Sequence, residues 1–283
     1  MPKRSFQVIV IGGGHAGVEA AWAAANLLPE AGSVALVTQD PAKIGVMSCN
    51  PAIGGLAKGQ LVREIDALGG LMALAADATG IQFKVLNTSK GPAVHGPRAQ
   101  CDKHAYAEAV QSMIAARPQI TVIAGTVEEL IVDTRGVRGV RIATPQGPES
   151  LAAGAVVLTT GTFMRGLMHT GQHKSQGGRH GEAAAVGISA ALQNLGFELG
   201  RLKTGTPPRL RRGSIDWESL EAQHGDATPT PFSELSGEAA ALDAVSLSPA
   251  TSASAPSIAR FPVLEQIPCR QTSTTAEAHA LIR

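Results

Sequence analysis

Apolar and polar positions divide the chain into alternating strand-like and helix-like segments. The run Gln7–Ile11 is dominated by β-branched residues and predicts a strand buried on both faces. After a glycine-rich turn, Val18–Ala25 opens an Ala-rich helix, and Ser33–Thr38 predicts a second buried strand. Leu56–Leu68 reads as a helix closed by Gly69-Gly70, with Leu61, Ile65 and Leu68 at helical spacing and expected to face the core. Asp102–Ala116 has an amphipathic helical pattern, and Thr121–Thr144 reads as short strands turning at Thr134-Arg135-Gly136. Another buried strand runs from Gly154 into Thr159-Thr160-Gly161-Thr162. Farther on, Trp217 and Leu220 predict a short helix ended by His224-Gly225-Asp226, and Glu277–Arg283 predicts the start of another. Strands alternating with helices predict an α/β fold.

Composition narrows the class. With 44% hydrophobic and 17% charged residues over 283 positions, the chain has the makeup of a globular protein. Its apolar stretches are broken by Gly, Pro or charge before reaching the length of a membrane span. Met1–Phe6 leads straight into the first strand without a signal-peptide or transit-peptide pattern, so a cytoplasmic setting is expected. Three scattered cysteines, Cys49, Cys101 and Cys269, provide neither a disulfide framework nor a metal knuckle. A net charge of +1 means that any nucleic-acid contact must come from a local patch.

The first candidate chemistry is the turn after the first strand. Gly12-Gly13-Gly14-His15-Ala16-Gly17 contains G-x-G-x-x-G between a buried strand and a helix. Gly12 allows the tight turn, Gly14 lets the backbone approach a diphosphate, and Gly17 lets the helix pack close to the strand. The diphosphate would sit on the unpaired N–H groups at the helix N-terminus. An acidic residue is expected about 20 positions on for the ribose, yet the second strand ends Thr38-Gln39-Asp40, with Asp40 one or two residues late. This weakens a plain NAD reading and leaves a flavin dinucleotide. Thr160-Gly161 would bring a second backbone segment to the same cofactor; its other reading is an ordinary strand ending in a turn.

Between these anchors, Gly45–Gly55 is a loop dense in Gly, Pro and Asn that carries Cys49. A thiol ahead of a helix, near Lys58 and Arg63, is a candidate nucleophile; its other reading is a small buried apolar residue. Lys84, Lys90, Arg98 and Lys103 face one acid, Asp102, which suits either a phosphate-bearing ligand or a solvated loop. Arg201, Lys203, Arg209, Arg211 and Arg212 form a cationic run without an acid, suited to RNA phosphates or to solvent. Aromatic residues are 3% of the chain, which disfavours a base-stacking platform.

The segments Gly12–Gly17, Met47–Gly55, Glu64–Leu71, Gly80–Phe83, Gly91–Val94 and Gly200–Arg209 together resemble the glucose-inhibited division protein A family, the tRNA uridine 5-carboxymethylaminomethyl modification enzymes. The resemblance runs from Gln7 to about Gly225, fades across Ala227–Ile267, and resumes at Pro268-Cys269. It implies a Rossmann-like FAD-binding domain of the two-dinucleotide-binding flavoprotein type, interrupted by the start of an insertion. On this reading residues 1–213 are the N-terminal part of the FAD domain. Residues 214–283 begin an NADH-related insertion, with a flexible Ala/Ser/Pro-rich segment at 227–262. The family's later signatures fall beyond Arg283, so the C-terminal half is expected to be missing and the activity of this stretch alone is in question.

The resemblance also implies chemistry. Family members use FAD, NADH and methylenetetrahydrofolate to modify carbon 5 of the wobble uridine of tRNA. They work with a GTPase in a heterotetrameric complex, and the full-length family protein is a homodimer. Gly12, Gly13, Gly14, His15, Ala16 and Gly17 carry over as the FAD turn, Val127 as a further FAD position, and Cys49 as a catalytic cysteine. A family serine that contacts FAD is replaced here by Ala185. Lys203, Arg209, Arg211 and Arg212 are candidates for tRNA contact. Competing readings are a folate- and flavin-dependent tRNA uracil methyltransferase, a generic NAD(P)H flavin oxidoreductase that needs no RNA, and a non-catalytic RNA-binding fragment.

Overall fold

The computed structural model describes residues 4–236, 258 and 260–282. In chain order these form β1 (Arg4–Ile11), α1 (His15–Leu27), β2 (Val34–Thr38), β3 (Ala52–Gly54), α2 (Gly59–Ala67), α3 (Met72–Thr79), β4 (Gly80–Leu86), β5 (Gly96–Cys101), α4 (Lys103–Ala115) and β6 (Ile120–Ala124). There follow β7 (Thr126–Asp133), β8 (Gly136–Thr144), β9 (Gly147–Leu158), β10 (Leu167–Thr170), β11 (His173–Gln176), α5 (Gly187–Asn194), β12 (Glu221–Gln223), β13 (Cys269–Gln271) and α6 (Ala276–Ile282).

The main sheet has the order β6-β2-β1-β9-β8-β7. Its first four strands are parallel, the arrangement expected of a Rossmann-like domain. β9 joins two pairings: Gly147–Ala152 runs antiparallel to β8, while Leu151–Leu158 runs parallel to β1. Alternation along β2 sends Val34 and Leu36 into one apolar cluster and Ala35 and Val37 into the other. The larger cluster lies under α1, α3 and α4; the smaller one is closed by Ile188 of α5. A second, antiparallel sheet, β3-β5-β4, is built from the segment between β2 and α4.

Buried polar contacts tie the helices together. The Glu19 carboxylate of α1 accepts from Leu71 N at 3.2 Å and Met72 N at 2.7 Å, filling orphan donors at the start of α3. Burial raises the pKa of Glu19, and these two bonds partly oppose the rise. Trp22 Nε1 donates to Gly69 O at 2.9 Å, and the Arg117 guanidinium lies 4.0 Å over the Trp22 ring.

Two sequence expectations need correction. In α2 the helical period is right and its phase is wrong. Val62 is buried, whereas Leu61 is 54% and Leu68 87% exposed. The helix is turned so that Gly59 meets Pro97 of β5, where an added β-carbon would lie 2.5 Å from the Pro97 oxygen. No helix forms at Trp217–Asp226. Glu221–Gln223 instead pairs as β12 with Cys269–Gln271, and Asp226 N donates to Phe83 O at 2.8 Å. Within 227–262, Phe232, Ser233 and Ser236 are buried, and residues 237–257 and 259 lie outside the described residues. Among the described residues, no helix is long and apolar enough to cross a membrane.

Candidate dinucleotide site and thiol loop

The turn between β1 and α1 is shaped by close backbone approach. Gly12 has φ +113°, and a β-carbon there would lie 2.5 Å from Thr159 O. At Gly17 the added carbon would fall 1.8 Å from Gly12 O, so the start of α1 rests directly on the turn. At Gly14 the same carbon meets nothing within 4 Å. Gly14 caps α1 without a side-chain hydrogen bond, and the first turn of α1 carries no acid. The result is an open face of main-chain donors at the positive end of a 13-residue helix. Thr159 Oγ1 donates to Ile11 O at 2.6 Å, which seats Thr160 and Gly161 beside the turn.

Beyond β2 the chain borders a cleft of about 480 Å³ lined by Gln39, Asp40, Thr126, Glu128, Glu182 and Val186. Asp40, late by sequence spacing, reaches this cleft while its Oδ1 accepts from Ala42 N at 2.9 Å. Carboxylates here suit the hydroxyls of a ribose better than a phosphate. Val127 is buried in the smaller core cluster and stands in register with Ile142 of β8. Ala185 is bound through its backbone: its N–H donates to Phe163 O and its carbonyl accepts from Arg165 N, both at 2.8 Å.

Sequence reasoning missed Arg179. Its guanidinium pairs with Glu182 at 2.9 Å and lies 5.1 Å over the Phe163 ring, yet its Nε is buried without a partner. The signal was present, since Gly177-Gly178 and Gly181 surround this cation with small residues. His15 Nε2 is also buried and unpartnered, with its ring 5.5 Å from that of Tyr106. Burial first, and the Arg179 charge second, hold the His15 pKa below 6.5. The Arg179 charge is felt at His15, the first residue of α1, and a cation acting at an open helix N-terminus suits an anionic dinucleotide such as FAD. His15 is accordingly expected to be neutral at pH 7. Arg179→Gln should move its titration upward while leaving it below 6.5, as read by NMR of the imidazole protons; an unmoved titration would remove Arg179 from this site.

Cys49 is brought to this region by its loop. Gly45 N donates to Gly13 O at 3.0 Å, so the loop springs from the glycine-rich turn. Cys49 is half-buried, and its Sγ donates to Gly205 O at 3.3 Å. Arg209 donates to Ser48 O at 2.7 Å. The cationic run thus lies across the thiol loop as an extended strap, with Lys203, Arg211 and Arg212 exposed. The sequence placed Cys49 just ahead of a helix near Lys58 and Arg63. In the structure α2 begins ten residues later, at Gly59, and Arg63 is engaged by Pro231 O and Glu234.

Known proteins resemble this chain along most of its length. The family model described as "Glucose inhibited division protein A" matches residues 7–260. The tRNA uridine 5-carboxymethylaminomethyl modification enzyme MnmG of Granulibacter bethesdensis is 49% identical over 280 residues, spanning 99% of this chain and 40% of that protein. The MnmG of Salinibacter ruber is 46% identical, covering 98% of this chain and 38% of the relative. GidA of Aquifex aeolicus superposes with a TM-score of 0.76 at 48% identity, over 81% of this chain and 37% of that structure. The chain therefore spans about 40% of the length of the curated relatives it matches. The turn, the thiol loop and the strap all fall inside the matched span, and the chain belongs to the glucose-inhibited division protein A family.

Proposed function

We propose that this chain is the dinucleotide-binding part of an FAD-dependent enzyme that modifies carbon 5 of the wobble uridine of tRNA. The observation that carries this is the continuous path from the glycine-rich turn through Gly45 to Cys49 and on to the cationic strap. Gly12–Gly17, with His15 and Arg179 behind them, would hold the FAD diphosphate, and Thr160 and Gly161 would face it from β9. Val127 would meet it through its main chain. Lys203, Arg209, Arg211 and Arg212 would neutralise tRNA phosphates. Residues from 214 onward would begin the NADH-related insertion. The relatives' names, which specify tRNA uridine modification, support the substrate. NADH and methylenetetrahydrofolate as co-substrates, a GTPase partner in a heterotetrameric complex, a homodimeric full-length protein and a cytoplasmic location complete the proposal.

Carbon 5 of uracil is a poor nucleophile. Addition of the Cys49 thiolate to carbon 6 would push the ring π pair onto the carbon 4 oxygen, and that enolate makes carbon 5 reactive toward a one-carbon electrophile. Loss of the carbon 5 proton then expels the thiolate and restores the ring. Bound flavin supplies the hydride chemistry, while this chain supplies position and electrostatics.

The test has two parts. The full-length protein, loaded with FAD and desalted, is expected to retain flavin absorbance near one equivalent; a colourless protein would overturn the claim that these residues hold FAD. In the full-length protein, Cys49→Ser should cut uridine modification by at least about 10³-fold while flavin stays bound. Normal turnover would remove Cys49 from the chemistry.

A further inference from the structure

The basic stretch that begins at Lys84 has no part in the dinucleotide site. In the fold it follows β4 and β5 and forms one wall of a cleft of about 210 Å³, with Asp226, Thr230 and Phe232 opposite. Four basic side chains line this cleft, Arg63, Lys84, His95 and Arg98, against the single carboxylate of Asp226. That carboxylate is turned to the backbone, accepting from Val85 N at 2.8 Å. Lys84 Nζ donates to His224 O at 2.8 Å and Arg63 to Pro231 O at 2.9 Å, so neutral carbonyls position both cations without cancelling their charge. Glu234, 3.4 Å from Arg63, is 85% exposed and offsets little.

The cleft's position bears on its ligand. Arg98 is in register with Gly54 of β3, and β3 follows the Cys49 loop. Gly54 is five chain steps from Cys49, so their Cα atoms are at most about 17 Å apart. The strap meets the same loop, Gly205 at Cys49 and Arg209 at Ser48. The thiol loop is thus tied to two basic regions, the strap by direct hydrogen bonds and the cleft through β3 and β5. A small phosphate ligand would need one of these sites; a run of phosphates passing the thiol would meet both. We infer that the Arg63–Lys84–His95–Arg98 cleft binds a backbone phosphodiester of the RNA whose uridine reaches Cys49. This rests on the tRNA reading above.

The test uses the full-length protein that contains this chain and a short RNA stem-loop with uridine in its loop, with affinity measured across a potassium chloride series. Lys84→Gln and Arg98→Gln are each expected to weaken binding roughly tenfold at low salt and to lower the salt slope by about one. Lys84→Arg should restore both. Thermal melting identifies any variant that fails to fold, in which case the other glutamine variant decides. If the unaltered protein binds the stem-loop and the glutamine variants match its affinity and slope, the cleft assignment falls while the tRNA reading stands. If the unaltered protein binds no RNA, the tRNA reading falls and takes the cleft with it. If inorganic phosphate stabilises the protein through Lys84 and Arg98 but the stem-loop does not compete with it, the cleft serves a small ligand and the inference is overturned.

Discussion

Alanine in place of Gly17 is expected to cost roughly 3 kcal/mol, which lowers the melting temperature of a chain this size by about 6–10 °C. The new methyl carbon would lie 1.8 Å from Gly12 O and 2.9 Å from Gly12 C. These are backbone atoms, and Gly12 is itself fixed by its N–H donating to Val37 O at 2.8 Å and by contact with Thr159. No flexible side chain can yield, so either α1 lifts from the sheet or the turn opens. Gly14→Ala is the matched contrast. Its φ of −75° suits alanine and its added carbon meets nothing within 4 Å, so melting without ligand should change little. Flavin retention should nevertheless drop, because the methyl group occupies the face the diphosphate would use. Equal melting temperatures for the two variants would disprove the packing argument. Undiminished flavin binding by Gly14→Ala would move the diphosphate elsewhere.

The second large effect concerns Asp77, a fully buried carboxylate in α3. Its Oδ1 accepts from Phe232 N at 2.8 Å and its Oδ2 from Ser233 N at 2.9 Å, which pins the 230–236 segment onto the core. Burial pushes the carboxyl up to about 6 from 3.8, with the charge of Asp66 acting in the same direction and the two N–H donors opposing it. The folded state therefore holds this proton more tightly than the unfolded chain. Stability from this group is fully present below pH 3.8 and is lost as pH rises through about 6. The loss is on the order of 3 kcal/mol. Asp77→Asn should abolish that pH dependence in denaturant titrations, since the amide is neutral throughout. Asp77→Ala leaves both N–H groups unpaired and should cost about 2–4 kcal/mol at pH 4, with faster amide exchange at Phe232 and Ser233. A parent and Asn variant with the same stability profile from pH 4 to 7 would show that Asp77 titrates normally.

The two residues mark where sequence reading works and where it stops. The glycine-rich turn was legible because its constraints are local: three glycines, a β-branched strand and an Ala-rich helix are consecutive in the chain. The strap was legible as charge alone, and its contact with Cys49 was not. That contact joins residues 156 positions apart through a backbone carbonyl, which leaves no mark on residue type. Asp77 gave no signal either. A single acid in an Ala-rich helix looks solvated until a distant segment presents two N–H groups to it.

By itself, the sequence determined the alternation of strands and helices, the glycine-rich turn and the family, because each depends on residue types at fixed short spacings. Tertiary structure decided the phase of α2, the pairing of β12 with β13, the influence of the Arg179 charge on His15 and the gathering of Arg63, Lys84, His95 and Arg98 beside β4 and β5. Each of these depends on which distant backbone supplies a close contact or a hydrogen-bonding partner. Helical periodicity sets which residues share a face, but only packing against Pro97 selects the face that is buried.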